Sequence, residues 1–157
     1  MKRYKEFINE SITNIDGNVK WEVLEKIGEV FHDKILKNKE LKDIYLDSDE
    51  LDGREWDIED INANIEHLEI AFNFYFVSIA PTDFYISNAD KEIDKFKNMC
   101  TQIKNVFKRF DVRIKEVAGK YSSDTQVTVF ITKNNMMDDP NIKNLLSSIK
   151  GIEKYNL

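Results

Sequence analysis

The 157-residue chain is poor in the residues that most often carry chemistry or unusual backbone: one cysteine, two histidines, two prolines and five glycines. Each scarcity excludes something. A lone cysteine cannot close an internal disulfide, which points to a reducing, cytosolic setting. Gly119-Lys120 stands alone, so neither a phosphate loop nor a dinucleotide fingerprint can be assembled. No Gly-x-Ser-x-Gly nucleophile elbow occurs. No run approaches the roughly 20 apolar residues that cross a bilayer, and no apolar signal-peptide core stands near Met1. The expectation is a protein without cofactor and without a membrane partner.

What is present suits a folded domain. Residues are 41% hydrophobic and 11% aromatic, too apolar for intrinsic disorder. At about 100–200 residues per domain, 1–157 is read as one domain. There are 19 lysines against 4 arginines, and 19 isoleucines and 15 asparagines against 5 alanines. That bias is the mark of A+T-rich codons and suggests a low-GC bacterium or one of its phages. A net charge of −6 and a pI near 5.0 argue against nucleic acid as a partner, because a polyanion needs a cationic surface.

The charge is unevenly placed. The first 78 residues carry 10 basic and 19 acidic side chains, net −9, and the remainder carries 13 against 10, net +3. Asp47, Asp49, Glu50, Asp52, Glu55, Asp57, Glu59 and Asp60 are opposed locally only by Arg54, so that stretch alone is −7. Lys95, Lys97, Lys104, Lys108, Arg109, Arg113 and Lys115 face a single acid, Asp111, for +6 over 21 residues. The chain is an electrostatic dipole along its own length.

Periodicity gives the elements. Tyr4, Phe7, Ile8 and Ile12 fit a short amphipathic helix over 1–14, ended by a turn at Asp16-Gly17. Val23, Leu24, Ile27, Val30, Phe31 and Ile35 predict a helix over 19–37, with Glu22, Glu25, Glu29 and Asp33 outside. The acidic stretch, with Asp52-Gly53 inside it, reads as a loop centred on 46–56. Ile58, Ile61 and Ile65 favour a short helix over 57–67. Leu68, Ile70, Phe72, Phe74 and Phe76 then alternate with more polar residues, a strand over about 68–79. Ala80-Pro81-Thr82-Asp83 turns the chain into a strand at 84–87. Ile93, Phe96, Cys100, Ile103, Phe107 and Phe110 form the seam of a helix over 89–110, capped by Ser87 or Asn88. Strands at 111–118 and 125–132 are joined by a loop from Gly119 to Asp124. Asp139 caps a last helix that opens on Pro140 and buries Ile142, Leu145, Leu146, Ile149 and Ile152. The sum is an α+β domain on a largely antiparallel sheet of four to five strands, with helices packed on it.

The candidate sites rank by their surroundings. In the acidic stretch, Gly53 at the sixth position of a calcium loop puts Ser48, Glu50, Asp52 and Glu59 at the first, third, fifth and twelfth. The first ligand is wrong, and Glu55 occupies a position that is normally apolar. Eight acids so close together repel one another, so an interaction surface for a basic partner, imitating a row of phosphates, explains them better; a solvated loop is the plain alternative. Glu29-x-x-His32 has the spacing of a carboxylate-bridged di-iron ligand pair, but Asn64 precedes His67 at the matching position, so no second copy exists. His67 and Glu69 lack a third ligand, and both histidines are read as solvent- or partner-facing. Cys100, in a helix seam, is read as a packing residue with a protonated thiol. The basic stretch reads as a solvated face, or as a dock for an acidic partner or the acidic loop of another copy.

Two resemblances follow. Met1 to Ser11, rich in lysine and aromatics and ending on Ile8-Asn9-Glu10, resembles the short leaders of some large-phage proteins, in which an aliphatic-x-Glu pattern marks processing by a prohead protease. The order of elements is similar to that of the small acidic dimeric chaperones of type III secretion, which would imply an apolar groove for an extended client. The residues favour a non-enzymatic binding or inhibitory module that uses Asp47 to Asp60 against a basic protein, such as an antagonist of host defence. A chaperone-like dimer and a small carboxylate- or metal-dependent enzyme are the alternatives. Complementary patches leave room for a homo-oligomer.

Overall fold

The computed structural model describes residues 12–45, 56–77, 89–118 and 123–155. The expected helix over 1–11, the acids from Asp47 to Glu55, the turn and strand between Ala80 and Ser87, the cap at Ser87 or Asn88, and residues 119–122 of the expected loop lie outside them. Among the described residues the order is α1 (Trp21–Lys37), α2 (Lys39–Ile44), β1 (Trp56–Asn62), β2 (Glu69–Val77), α3 (Ala89–Val106), β3 (Asp111–Ala118), β4 (Ser123–Thr132) and α4 (Pro140–Tyr155). The strands form an antiparallel sheet in the order β1-β2-β4-β3, with helices packed against it, an α+β fold as the sequence predicts. Because β4 lies between β2 and β3, α3 carries the chain across one intervening strand, a split β-α-β connection. No described helix is long and apolar enough to cross a membrane.

The chain packs as two compact units: Met1–Phe31 with Ile58–Phe72 and Phe130–Leu157, and His32–Asp57 with Asn73–Val129. In the first, a tight turn precedes α1. Gly17 adopts φ +85°, and the Asp16 carboxylate accepts from Asn18 N at 3.0 Å. A side chain at Gly17 would meet only ordinary contact, so the positive φ is what requires glycine. Thr13 pairs with Val19, which ends the expected N-terminal helix before residue 13. Val19 N donates to Ala63 O at 2.8 Å and Ile65 N to Gly17 O at 2.9 Å, tying this turn to the one after β1. The α1 seam forms as predicted: Val23, Leu24, Ile27 and Phe31 are buried, and Phe31 meets Phe72 edge-to-face at 5.3 Å. Asp139 Oδ1 accepts from Asn141 N and Ile142 N at 2.9 and 3.1 Å, capping α4 ahead of Pro140. Ile142 and Leu146 are buried.

In the second unit, Phe74 and Phe76 are fully buried. Trp56 and Phe107 flank Phe74 at 6.2 and 5.9 Å, and Tyr45 packs on Phe76 at 5.2 Å. α3 ends at Val106, short of the expected 110. Phe110 N then donates to Phe107 O in a tight turn, and both rings stay buried beyond the helix. Asn38 stops α1 and starts α2, its Oδ1 accepting from Glu40 N and Leu41 N at 3.1 and 3.0 Å.

Residues 57–67 are a strand and a turn, not the expected helix. The isoleucines do recur at helical spacing. Asn62 Oδ1, however, accepts from Asn64 N at 3.0 Å and Asn64 Oδ1 from Glu66 N at 2.9 Å, so these side chains offer the backbone turns in place of helical bonds. Before them, Trp56 and Ile58 alternate with exposed Asp57 and Glu59, a strand pattern.

Truncating Phe72→Ala is expected to cost about 3–5 kcal/mol in urea denaturation. Asp139→Ala should cost about 1 kcal/mol through the lost cap, and Ile15→Ala, at a fully exposed turn, should stay within about 0.5 kcal/mol of wild type.

Candidate functional site

Of the eight acids predicted to form one surface, Asp57, Glu59 and Asp60 lie on β1, so the loop expected there ends before Trp56. Asp47, Asp49, Glu50, Asp52 and Glu55 lie outside the described residues. β1 also stands where an EF-hand would need its exiting helix, so Glu59 is not the closing ligand of a calcium loop. No group of three or more His, Cys, Asp or Glu that could hold a metal occurs among the described residues.

Asp57 is exposed but held. Its Oδ1 accepts from Asn73 Nδ2 and its Oδ2 from Tyr75 Oη, both at 2.7 Å. Two donors on two oxygens fix the carboxylate's rotation and plane, on the outermost of the described strands on that side of the sheet. Behind it the hydrogen bonds continue inward. Asn73 is only 3% exposed, and its Oδ1 accepts from Thr128 Oγ1 at 2.7 Å and from Gln126 Nε2 at 2.9 Å. Gln126 Nε2 also donates to Thr128 Oγ1 at 3.1 Å. The chain of bonds thus crosses β4, β2 and β1 and ends on the Asp57 carboxylate at the surface. No buried side-chain nitrogen or oxygen among the described residues lacks a partner.

The sequence reading missed this cluster. Asn73 sits between Phe72 and Phe74, where alternation assigns it to the more polar, outer face of the strand. Both faces are buried there, since β2 is interior to the sheet and residues 70–74 are all shielded. The available signal was an asparagine inside an aromatic run. A polar side chain in such a place needs partners, which Gln126 and Thr128 on another predicted strand could supply.

The other candidates find plainer places. His32, expected to face solvent or a partner, is half-buried, with Nδ1 2.9 Å from Tyr45 Oη. His67 is exposed in the turn before β2, off the strand that carries Glu69. Cys100 is half-buried and burial pushes its thiol up, outweighing the opposing charge of Lys104; the seam position beside it that is closed to solvent is Met99. The Lys133 ammonium, 2.9 Å from Glu66, holds that exposed carboxyl below its ordinary value through a hydrogen bond and charge. Arg113 and Lys115 are exposed on β3, and Lys95, Lys97, Lys104, Lys108 and Arg109 are exposed on α3 and the turn after it.

One groove lies between α2 and α3, about 260 Å³, floored by Leu41, Ile44 and Met99 and edged by Glu40, Lys95 and Asn98. Asn98 donates to the Glu40 carboxylate, and Asn38 Nδ2 donates to Gln102 Oε1 at 3.0 Å, pinning α2 onto α3.

Asn73→Ala removes the acceptor for Thr128 and Gln126 together with a donor to Asp57. It should destabilise the fold by about 1–3 kcal/mol in urea denaturation, against a smaller loss for Asp57→Asn at the exposed end. A raised thiol leaves less thiolate at pH 8, so iodoacetamide should alkylate Cys100 more slowly in the native than in the urea-unfolded chain. No protein-family model, curated protein or solved structure matches this chain.

Proposed function

We propose that the protein is a non-enzymatic binding module whose acidic stretch, Asp47 to Asp60, engages a basic surface on another protein. The observation that carries this reading is Asp57: an exposed carboxylate on β1, held on both oxygens by Asn73 and Tyr75. A long surface acid ordinarily loses side-chain freedom when it pairs, which offsets most of its gain. A carboxylate fixed beforehand loses less, so more of the attraction appears as affinity. Exposed Glu59 follows two residues on, and alternate strand residues share a side about 6.6 Å apart. Negative charges on a strand, with five more acids in the preceding stretch of sequence, suit a groove built to take a polyanion. Enzymes that handle nucleic acids have such grooves. The mechanism is electrostatic steering followed by steric block of that groove. A phage-encoded antagonist acting in a bacterial cytosol fits both this mechanism and the codon bias of the chain.

Steered binding of this kind weakens steeply as the Debye length falls from about 10 Å at 0.1 M salt to about 3 Å at 1 M. Partners captured from a bacterial lysate at low salt should be released at high salt. They should be absent when Asp47, Asp49, Glu50 and Asp52 are all changed to Lys. Cross-linking mass spectrometry should join residues 47–60 to lysines of the partner. Recovery of the same partners with the charge-reversed chain would sink the proposal.

A further inference from the structure

We propose that Asp16-Gly17 is a latent isomerisation site, closed by the native turn and opened only when that turn unfolds locally. The inference is independent of the proposed partner and rests on bonds made within and around residues 14–18. In an Asp-Gly pair the amide that follows the aspartate has no Cβ beside it to hinder its approach to the side-chain carboxyl carbon. Ring closure joins Gly17 N to Asp16 Cγ. The amide gives up its proton, a Cγ–O bond of the carboxyl group breaks, and one water leaves. A second water then opens the cyclic imide. Attack at the side-chain carbonyl restores aspartate. Attack at the main-chain carbonyl leaves isoaspartate, with the backbone routed through Cβ and Cγ and one atom longer.

The turn needs glycine for a conformational reason, and so creates the reactive pair: Gly17 sits at φ +85°. The same turn ties down both reactants. Gly17 N donates to Asn14 O at 2.9 Å, so the proton that the amide must shed is committed to the turn. Asp16 Oδ1 accepts from Asn18 N at 3.0 Å and Oδ2 from Asn18 Nδ2 at 3.2 Å, so both carboxylate oxygens are held. Asn14 N donates to Asn18 O at 2.8 Å and Ile65 N to Gly17 O at 2.9 Å, which restrains the peptide planes on either side of Gly17 from rotating. Bringing Cγ onto Gly17 N breaks bonds at both residues. The rate of isomerisation is therefore that of the open chain multiplied by the fraction of molecules whose turn is open.

Isoaspartate does not fit back into this turn. Its extra backbone atom changes the spacing over which Gly17 N meets Asn14 O and Gly17 O meets Ile65 N. A molecule modified while open thus returns with the tie between this turn and the one after β1 weakened, and the modification keeps a record of unfolding.

The full chain, kept warm at neutral pH either folded or unfolded in urea, tests this. After digestion, electron-transfer fragmentation distinguishes isoaspartate from aspartate at residue 16. Isoaspartate should accumulate at least about tenfold faster in the unfolded chain, because several hydrogen bonds must break before the folded one reacts. Asp52-Gly53 in the same unfolded sample is the reference for an unrestrained pair, and the two should react at similar rates. Asn18→Ala removes one of the two donors to Asp16 and should raise the rate of the folded chain about threefold or more. Urea too dilute to unfold the protein should raise that rate in step with hydrogen exchange at the Gly17 amide. Refolded after isomerisation, the chain should exchange faster at the Val19 and Ile65 amides than an unmodified chain does. Equal rates in folded and unfolded chains, an Asp16 that stays unmodified in urea, a folded-state rate unmoved by Asn18→Ala, a rate that does not follow Gly17 exchange, or unchanged protection after isomerisation would each overturn the proposal.

Discussion

The burial of β2 is the constraint on which the rest of the structure depends. Five successive residues, Ile70 to Phe74, are shielded, followed by Phe76. Removing each Phe side chain from water is worth about 1.5–3 kcal/mol, so the strand supplies a large share of the driving force. The other elements are arranged to cover it. α1 presents Phe31 to Phe72, and the turn after α3 presents Phe107 to Phe74. Tyr45, at the end of α2, closes over Phe76. A central strand buried on both sides leaves no room for a slip of register, because a shift by one residue would exchange its two faces.

Burial also explains the polar cluster. An asparagine in the middle of β2 loses its water, and the loss is tolerable only with full hydrogen bonding. Gln126 and Thr128 on β4 provide donors, and Asp57 on β1 provides the acceptor. One buried amide therefore specifies the alignment of three strands. It also holds an exposed carboxylate on β1 in a fixed orientation, which links internal packing to the surface on which the proposed binding rests.

The charge distribution takes on meaning once the strands are ordered. Along the chain it is an acidic half and a mildly basic half. In the fold, Asp57 and Glu59 stand exposed on β1, and Arg113 and Lys115 stand exposed on β3. Fields of both signs on one molecule favour oriented encounters, with partners or with other copies, over indiscriminate attraction to polyanions.

Most of the fold is legible in the sequence. The 3.6-residue seam of Val23 to Ile35, the alternation of Ile70 to Phe76, and the Asp139-Pro140 cap each declare an element through interactions within a few residues. Asp16-Gly17 declares its turn because few other residues accept φ +85°. The α+β class follows from the order of those elements. The errors fall where distant partners decide. Residues 57–62 carry a helical spacing of isoleucine, yet pairing with β2 makes them a strand. Asn73 reads as an outward residue until β1 and β4 enclose it. The acidic character of 47–60 was the sequence's alone to reveal. That its last acids stand on a strand, one of them gripped by Asn73 and Tyr75, was decided by tertiary structure, because strand pairing and burial are set by residues far away in the chain.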